Sequence, residues 1–504
     1  MGLKILLAFS FFLGILYSSE KPNIIFILVD DMGWSDLGCY GSEIETPNLD
    51  SLAQNGVRFT QFYNTAKCMT SRGCLLTGLY AQQAKTMGAL STINGATLGE
   101  VLKTAGYRTL ASGKHHGGEN LKDRGFDHYY GLRDGCSNFW NPGDQRANEP
   151  VPARKKVRVW CDDEKTLKPY TPENKAFYTT DAFTNKALEW LEEEELKEKP
   201  FFLYLAYTAP HYPLHAWPKD IEKYKGVYDI GYEATRTARY RRQVELGLIN
   251  SETSPLPQWE GGIWNELPKE EQEKEILRMQ IYAAMMDSVD QNVGKLLAKL
   301  KEQKKLNNTL IMFASDNGGC AEVAKPKVRS TKIEDFGKVN SYECVGRNWA
   351  TVQNTPLKKW KNYSHEGGIR TPLIVSWPSE IKNVGSFSSE VGHLIDIMPT
   401  LVNITGATYP KSLHGKQVIP MQGVSLLPSF SGRKLTRAQP LFWKWARGKA
   451  IRRDQLKAVR WGKEAWELYD MSKSPNEQTN LAESKASELK ALTAIWESWE
   501  ASVK

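Results

Sequence analysis

The sequence predicts an α/β fold: a large, mostly parallel central sheet covered by helices on both faces, with a small C-terminal antiparallel sheet plus helix. Three observations predict it. Continuous apolar runs at 23–29, 201–207 and 309–315 have the length and unbroken character of strands buried on both faces. Helical segments separate them, an order that calls for parallel crossover units. From about Gly432 onward, short strand candidates follow one another through tight connections, as in an antiparallel meander. A chain of 504 residues with 41% hydrophobic content can bury one large domain and a smaller appendage. The expected division is a main α/β body over 20–431 and a C-terminal subdomain over 432–504.

At the start, residues 1–19 pair Lys4 with an apolar run from Ile5 to Leu16, too short to cross a bilayer as a helix. This reads as a cleaved secretion signal ending at Ser18 or Ser19, and it places the mature protein in the periplasm or outside the cell. No later stretch is apolar enough for a membrane span. Asn23 to Val29 is the first strand, running into Asp30-Asp31. Thr46-Pro47 opens a helix, with Thr46 as cap and Gly56 as its close. Val57 to Tyr63 is a second strand. Thr97 and Glu100 have the spacing of a capping box, starting a helix that stops at Gly106 before a strand at Tyr107 to Ala111. Further on come a helix over Asp181 to Glu195, a strand over Phe201 to Tyr207, a long helix over Pro268 to Lys304 and a strand over Thr309 to Ser315. The stretches 138–171 and 218–267, rich in proline, charge and tryptophan, read as long surface loops. Leu441 to Trp445, Gln455 to Trp461 and Ala465 to Tyr469 are the C-terminal strands, followed by a helix near Lys485 to Trp499.

The net charge of +8 comes from 66 basic and 58 acidic residues without any long Lys/Arg block, which argues against nucleic acid as a partner. It suits anionic substrates and solubility alike. The cysteines are seven: Cys39, Cys68, Cys74, Cys136, Cys161, Cys320 and Cys344. In an oxidising compartment an odd number leaves at least one thiol unpaired and permits up to three disulfides.

Ligands of open parallel sheets sit beyond the carboxyl ends of the strands. The residues there are Asp30-Asp31 after the first strand, Lys114-His115-His116 after the strand near Leu110, His211 after the strand ending at Tyr207, and Asp316-Asn317-Gly318-Gly319 after the strand ending at Ser315. Asp30, Asp31, Asp316 and Asn317 offer the hard oxygen ligands of Ca²⁺ or Mg²⁺, and calcium is favoured. A single Asp-Asp pair would read as a turn or a helix cap; the second acid-amide pair tips the reading to a metal. In Lys67-Cys68-Met69-Thr70-Ser71-Arg72-Gly73, an arginine four residues beyond a cysteine at a helix start is expected to lower the thiol pKa and to offer an anion-binding fork.

Together these segments resemble those of the sulfatase family, in its bacterial arylsulfatase-like branch. The resemblance rests on 23–33, 68–78, 113–118 and 315–319, with 366–372 and 466–470 matching in kind, and it spans nearly the whole mature chain. It implies the alkaline phosphatase superfamily fold, one Ca²⁺ ion with residue 68 among its ligands, and hydrolysis of sulfate esters. It further implies that Cys68 is oxidised by a formylglycine-generating maturation enzyme to formylglycine (3-oxoalanine), whose hydrate carries two hydroxyls on one carbon. One hydroxyl attacks sulfur, and loss of a proton from the other expels sulfate. By position, Arg72 would hold the hydrate, Lys114 and Lys361 the sulfate oxygens, His116 would assist the hydroxyl proton, and His211 would bind the ester oxygen and protonate the leaving group. Position 70 departs from the family pattern, with threonine in place of the proline of Cys-x-Pro-x-Arg. So does position 115, with histidine where tryptophan is common.

A phosphate or phosphonate ester hydrolase of the same superfamily, or a catalytically silent binder of sulfated glycans, are the alternative readings. The substrate expected is a sulfated small molecule or saccharide. Trp140, Trp160, Trp217, Trp259 and Trp264 either stack on sugars or anchor satellite cores. His115, His215 and His365 read as structural or pocket-lining, and the glycosylation-like triplets at Asn307, Asn362 and Asn403 as chance matches.

Overall fold

The computed structural model describes residues 21–84, 95–154, 156–193, 198–326, 328–330 and 332–503; the expected secretion signal lies outside them. The central sheet contains β1 (Asn23–Asp30), β2 (Val57–Tyr63), β3 (Arg108–Gly113), β4 (His128–Leu132), β5 (Trp160–Asp162), β6 (Lys165–Leu167), β7 (Phe201–Pro210), β8 (Thr309–Ser315), β9 (Arg370–Ser376), β10 (Ser386–Ser388) and β11 (Gly392–His393). Their order is β10-β2-β9-β8-β1-β7-β3-β4-β5-β6, with β11 against the end of β2. The run β8-β1-β7-β3-β4 is parallel throughout.

Alternation along β1 builds two cores. Ile24, Phe26 and Leu28 face one side, packing with the helices Cys68–Thr77, Leu98–Lys103 and Ile397–Thr405 and with the C-terminal sheet. Ile25, Ile27 and Val29 face the other, covered by the helices Pro47–Gln54, Thr179–Leu191 and Lys269–Glu302. A strand flanked by helices on both sides has no polar face, which is why its sequence shows no alternation. The capping box of Thr97 and Glu100 forms as expected.

Several expectations need correction. Thr46 precedes its helix without capping it; its hydroxyl instead accepts from Gly38 N (2.9 Å) and donates to Asp50 Oδ1 (3.1 Å). The antiparallel strand β9, between β2 and β8, was not legible, because Pro372 argues against a central strand. The sheet accommodates it through a break in register of β2 between Phe59 and Phe62, and Pro372 has no paired residue on either side. The two presumed surface loops are structured: 138–171 supplies β5 and β6, and 218–267 holds the helices Pro218–Glu222 and Gly231–Glu245. The second of these hides from apolar periodicity because it buries Arg239 and Gln243, and Arg239 pairs with Asp36 and Glu43. All seven cysteines are buried, and none of the possible disulfides forms.

The tryptophans turn inward. Trp160 is fully buried, Trp140 packs on Tyr178 and Trp217, and Trp259 and Trp264 pack around Tyr232.

Beyond the short hairpin of β12 (Ser412–Leu413) and β13 (Lys416–Gln417), the C-terminal sheet consists of β14 (Leu441–Trp445), β15 (Gly448–Arg453), β16 (Leu456–Trp461) and β17 (Glu467–Asp470), antiparallel in sequence order. The helix Ala486–Ser502 buries Leu492 and Trp496 against it. A buried charge cluster joins this sheet to the main body. Lys457 Nζ donates to Glu366 Oε1 (2.6 Å) and Glu477 Oε1 (2.8 Å), and all three side chains are fully buried.

Candidate active site

Four adjacent parallel strands deliver the polar residues. The carboxyl ends of β8, β1, β7 and β3 lead into Asp316-Asn317, Asp30-Asp31, His211 and Lys114-His115-His116. Cys68 is the first residue of the helix Cys68–Thr77. Lys361 arrives on the segment before β9, whose backbone is stitched to the others: Lys361 N donates to Gly319 O (3.1 Å) and Asn362 N to Ala66 O (2.8 Å). Gly318 is required where this segment closes, since a Cβ there would lie 1.8 Å from Gly367 O. Asp30, Asp31, Cys68, Arg72, Lys114, His211, Asp316, Asn317 and Lys361 are all buried, and His116 is half-buried.

The acidic residues suit a hard cation. Donor atoms of Asp30, Cys68 and Asp316 lie within 4.8 Å of one another, as do those of Asp30, Asp31 and His211. Asp30 Oδ1 and Asn317 Oδ1 are buried acceptors without a hydrogen-bond partner among the described residues, a costly condition that a cation among them would relieve. Burial, and next the charge of Asp30, push the Asp316 carboxyl up to about 7. Three carboxylates and an amide oxygen fit calcium or magnesium better than zinc.

Positive groups frame this cluster. Lys114 Nζ pairs with Asp30 Oδ2. Lys361 Nζ lies 2.6 Å from Asp31 Oδ1 and 2.8 Å from Oδ2. Burial alone raises the Asp31 pKa, but the charges of His211 and Lys361, with hydrogen bonds from Lys361 and Asn317, hold it well below the usual carboxylate range. Arg72 meets Asp316 Oδ2 through Nε (2.8 Å) and a terminal nitrogen (2.7 Å), and donates to the carbonyl of Lys114 (2.7 Å). Its fork is thus engaged by Asp316 rather than left open for an anion. The expected lowering of the Cys68 thiol pKa is not found. Burial raises it, and the pull of Lys114 and Lys361 is opposed by Asp30 and Asp316.

His211 Nδ1 donates to Tyr212 O (2.5 Å), which directs Nε2 toward Asp31 Oδ2 (3.4 Å). Burial lowers its pKa to about 4 against the opposing charges of Asp31 and Asp30. His116 is held well below its ordinary value by burial and then by Lys114, Arg72 and Lys361, and its Nδ1 has no partner among the described residues. Asp31 and His116 both adopt positive φ, 67° and 58°, as do Ala66 and Asn362 next to Lys67 and Lys361. Backbone strain of this kind collects where side chains must be aimed. His215 is structural, accepting from Phe139 N (3.3 Å) and donating to Ser341 O (2.9 Å). His365 faces Glu467 Oε1 at 3.4 Å, and His115 packs edge-on against Tyr129.

Sequence reasoning missed the residues at the rim. Glu322 accepts from Lys67 Nζ (3.2 Å), Tyr212 Oη (2.6 Å) and Asn362 Nδ2 (3.3 Å). Its only signal was a position six residues beyond Asp316.

A model of the sulfatase domain matches residues 22–407, and one described as N-sulphoglucosamine sulphohydrolase, C-terminal, matches 359–497. An uncharacterized sulfatase of Schizosaccharomyces pombe is 34% identical over 96% of this chain and 94% of its own length. The arylsulfatase of Klebsiella aerogenes is 35% identical over 81% of this chain and 91% of its own. Among solved structures, Ps i-CgsB in complex with k-i-k-neocarrahexaose superposes with a TM-score of 0.66 at 26% identity, covering 95% of this chain and 93% of that one. With matched models, relatives and strand-end chemistry in agreement, the chain belongs to the sulfatase family, the sulfuric ester hydrolases.

Proposed function

We propose that this protein is an exported, calcium-dependent sulfatase that acts through formylglycine at position 68 on a sulfated saccharide. The observation that carries the reading is the common position of Cys68, Asp30 and Asp316, whose donor atoms lie within 4.8 Å of one another while Lys114 and Lys361 stand over the same cluster. Family membership supports the modification. The oligosaccharide held by Ps i-CgsB and the sulphohydrolase match at the C-terminus support the substrate class. The apolar run at 5–16 supports export to the periplasm or beyond.

Asp30, Asp31, Asp316 and Asn317 would hold Ca²⁺, which when bound neutralises the carboxylates and makes an adjacent hydroxyl more acidic. Conversion of the Cys68 side chain to an aldehyde takes two electrons from Cβ and releases Sγ as sulfide, with water supplying the oxygen; a maturation enzyme provides the oxidant. The hydrated aldehyde supplies the attacking oxygen and the second hydroxyl through which sulfate is discharged. Lys114 and Lys361 bind the sulfate oxygens and offset charge as the S–O bond of the ester breaks. With Nδ1–H committed to Tyr212 O, His211 Nε2 carries a proton only in the imidazolium; an ester anion beside it raises its pKa from the low resting value, and the Nε2 proton then passes to the departing alcohol oxygen. His116 takes the proton of the second hydroxyl. Arg72 acts indirectly by fixing Asp316.

Mass spectrometry of the peptide around Cys68, from protein made together with a maturation enzyme, is expected to show the aldehyde, with sulfate release from aryl sulfates and defined sulfated saccharides. Matched phosphate esters run in parallel should turn over far more slowly. A fully active preparation whose Cys68 is unmodified would end this reading.

A further inference from the structure

We infer that Glu322 is a specificity residue at the mouth of the site, a fixed negative charge that favours sulfate esters whose neighbouring groups are neutral hydroxyls and disfavours those bearing a second anion beside the ester. The inference rests on the proposed sulfate-ester chemistry. Cys68, His211 and Lys361 are buried, with side-chain exposures of 7% for His211 and 1% for Lys361, whereas the Glu322 side chain is 34% exposed. Glu322 and its partner Lys67, with side-chain exposures of 34% and 21%, therefore stand between the buried centre and solvent, and on the proposed reading the alcohol portion of an ester held at residue 68 has its exit on this side.

Its three partners tie it to that exit. Lys67 precedes Cys68, Tyr212 follows His211 and Asn362 follows Lys361, so one carboxylate bridges the three segments that carry the nucleophile position, the leaving-group histidine and a sulfate-binding lysine. Asn362 is held in turn by Trp445 Nε1, which donates to its Oδ1 (3.0 Å). Burial opposes the charge of Glu322, but Lys361, Lys67 and the Tyr212 hydroxyl bring its pKa to about 2, so it is ionised wherever the protein works. An ionised carboxylate only accepts hydrogen bonds. Substrate hydroxyls can donate to it, and a uronate or a vicinal sulfate can only be repelled, in a partly buried setting where screening is weak. Within a site otherwise lined by Lys67, Lys114 and Lys361, it separates one sulfate, which the lysines hold, from a second.

The test compares kcat/KM for two matched esters, a neutral monosulfated monosaccharide and the same sugar with a carboxylate or second sulfate adjacent to the scissile ester, in the wild type and in E322Q and E322A. Both variants shift the ratio toward the doubly anionic ester by about tenfold. If Glu322 serves only to hold Lys67 and Asn362, kcat/KM falls for both esters alike and the ratio stays within twofold, which overturns the inference. Thermal unfolding of each variant separates loss of folding from loss of discrimination, and E322A gives the ratio should E322Q fail to accumulate. A wild type that hydrolyses neither ester nor any aryl sulfate refutes the proposed function itself; a wild type that hydrolyses them with unaltered ratios in the variants refutes only the role of Glu322.

Discussion

Arg72 and Asp316 form a buried pair in which two guanidinium nitrogens meet the same carboxylate oxygen, at 2.8 and 2.7 Å, with side-chain exposures of 1% and 0%. The arginine of the Cys68 helix thereby fixes a residue at the end of β8, 244 positions away in the chain.

Replacing Arg72 with methionine removes the charge and leaves Asp316 unpaired in the interior. The expected loss is about 3–5 kcal/mol of stability, because one partner of a buried pair is deleted. Urea unfolding measures it, and added calcium should recover part of it by supplying positive charge to the same carboxylate.

Calcium binding should depend on pH around neutrality. Asp316 has its pKa raised to about 7 when no cation is present, so below that value it carries a proton that a ligating carboxylate must lose. Affinity is therefore expected to rise as pH increases from 6 to 8, with proton release on binding. Calorimetry in two buffers of different ionisation enthalpy reads that proton directly, and an affinity flat across this range would contradict the assignment.

Lys457→Met should be more damaging to folding than most substitutions in the C-terminal sheet. It would remove the one cation that bridges Glu366 and Glu477 in a fully buried cluster, leaving Arg370, 3.7 Å from Glu366 Oε2, as the nearest counter-charge. A loss of about 3–5 kcal/mol is expected, together with early exposure of the C-terminal strands in hydrogen exchange.

Thr70→Pro should fold. Thr70 is the third residue of its helix, where backbone N–H groups have no partner within the helix, so proline removes no helical hydrogen bond. The substitution does delete the hydroxyl contacts to Thr65 Oγ1 (2.6 Å) and Lys67 O (3.0 Å), at about 1 kcal/mol. By restoring the family pattern it is expected to raise the fraction of Cys68 converted, as read by mass spectrometry of the purified protein. An unchanged fraction would show that Thr70 does not limit conversion.

The strands that deliver the site were legible because residues such as Ile24 to Val29 and Leu310 to Ala314 are apolar on both faces, and the acids and histidines follow them directly. What escaped notice obeys different physics. Pro372 masks β9, whose neighbour breaks register to admit it. Arg239 replaces apolar side chains on a buried helix face, so no periodicity marks it. Glu322 belongs to no periodic segment, and only the meeting of three distant loops gives it partners. The Cys68 thiol is not acidified by its place at a helix start, because burial outweighs the nearby lysines.

The depth of residue 68 sets a timetable. Only 2% of Cys68 is accessible, beneath a lysine supplied almost three hundred residues later in the chain and a segment sutured to Ala66 and Gly319. On the proposed reading, a catalyst that converts this side chain reaches it only while β9 and its preceding turn have not yet closed over it, and a chain that compacts first keeps its thiol covered.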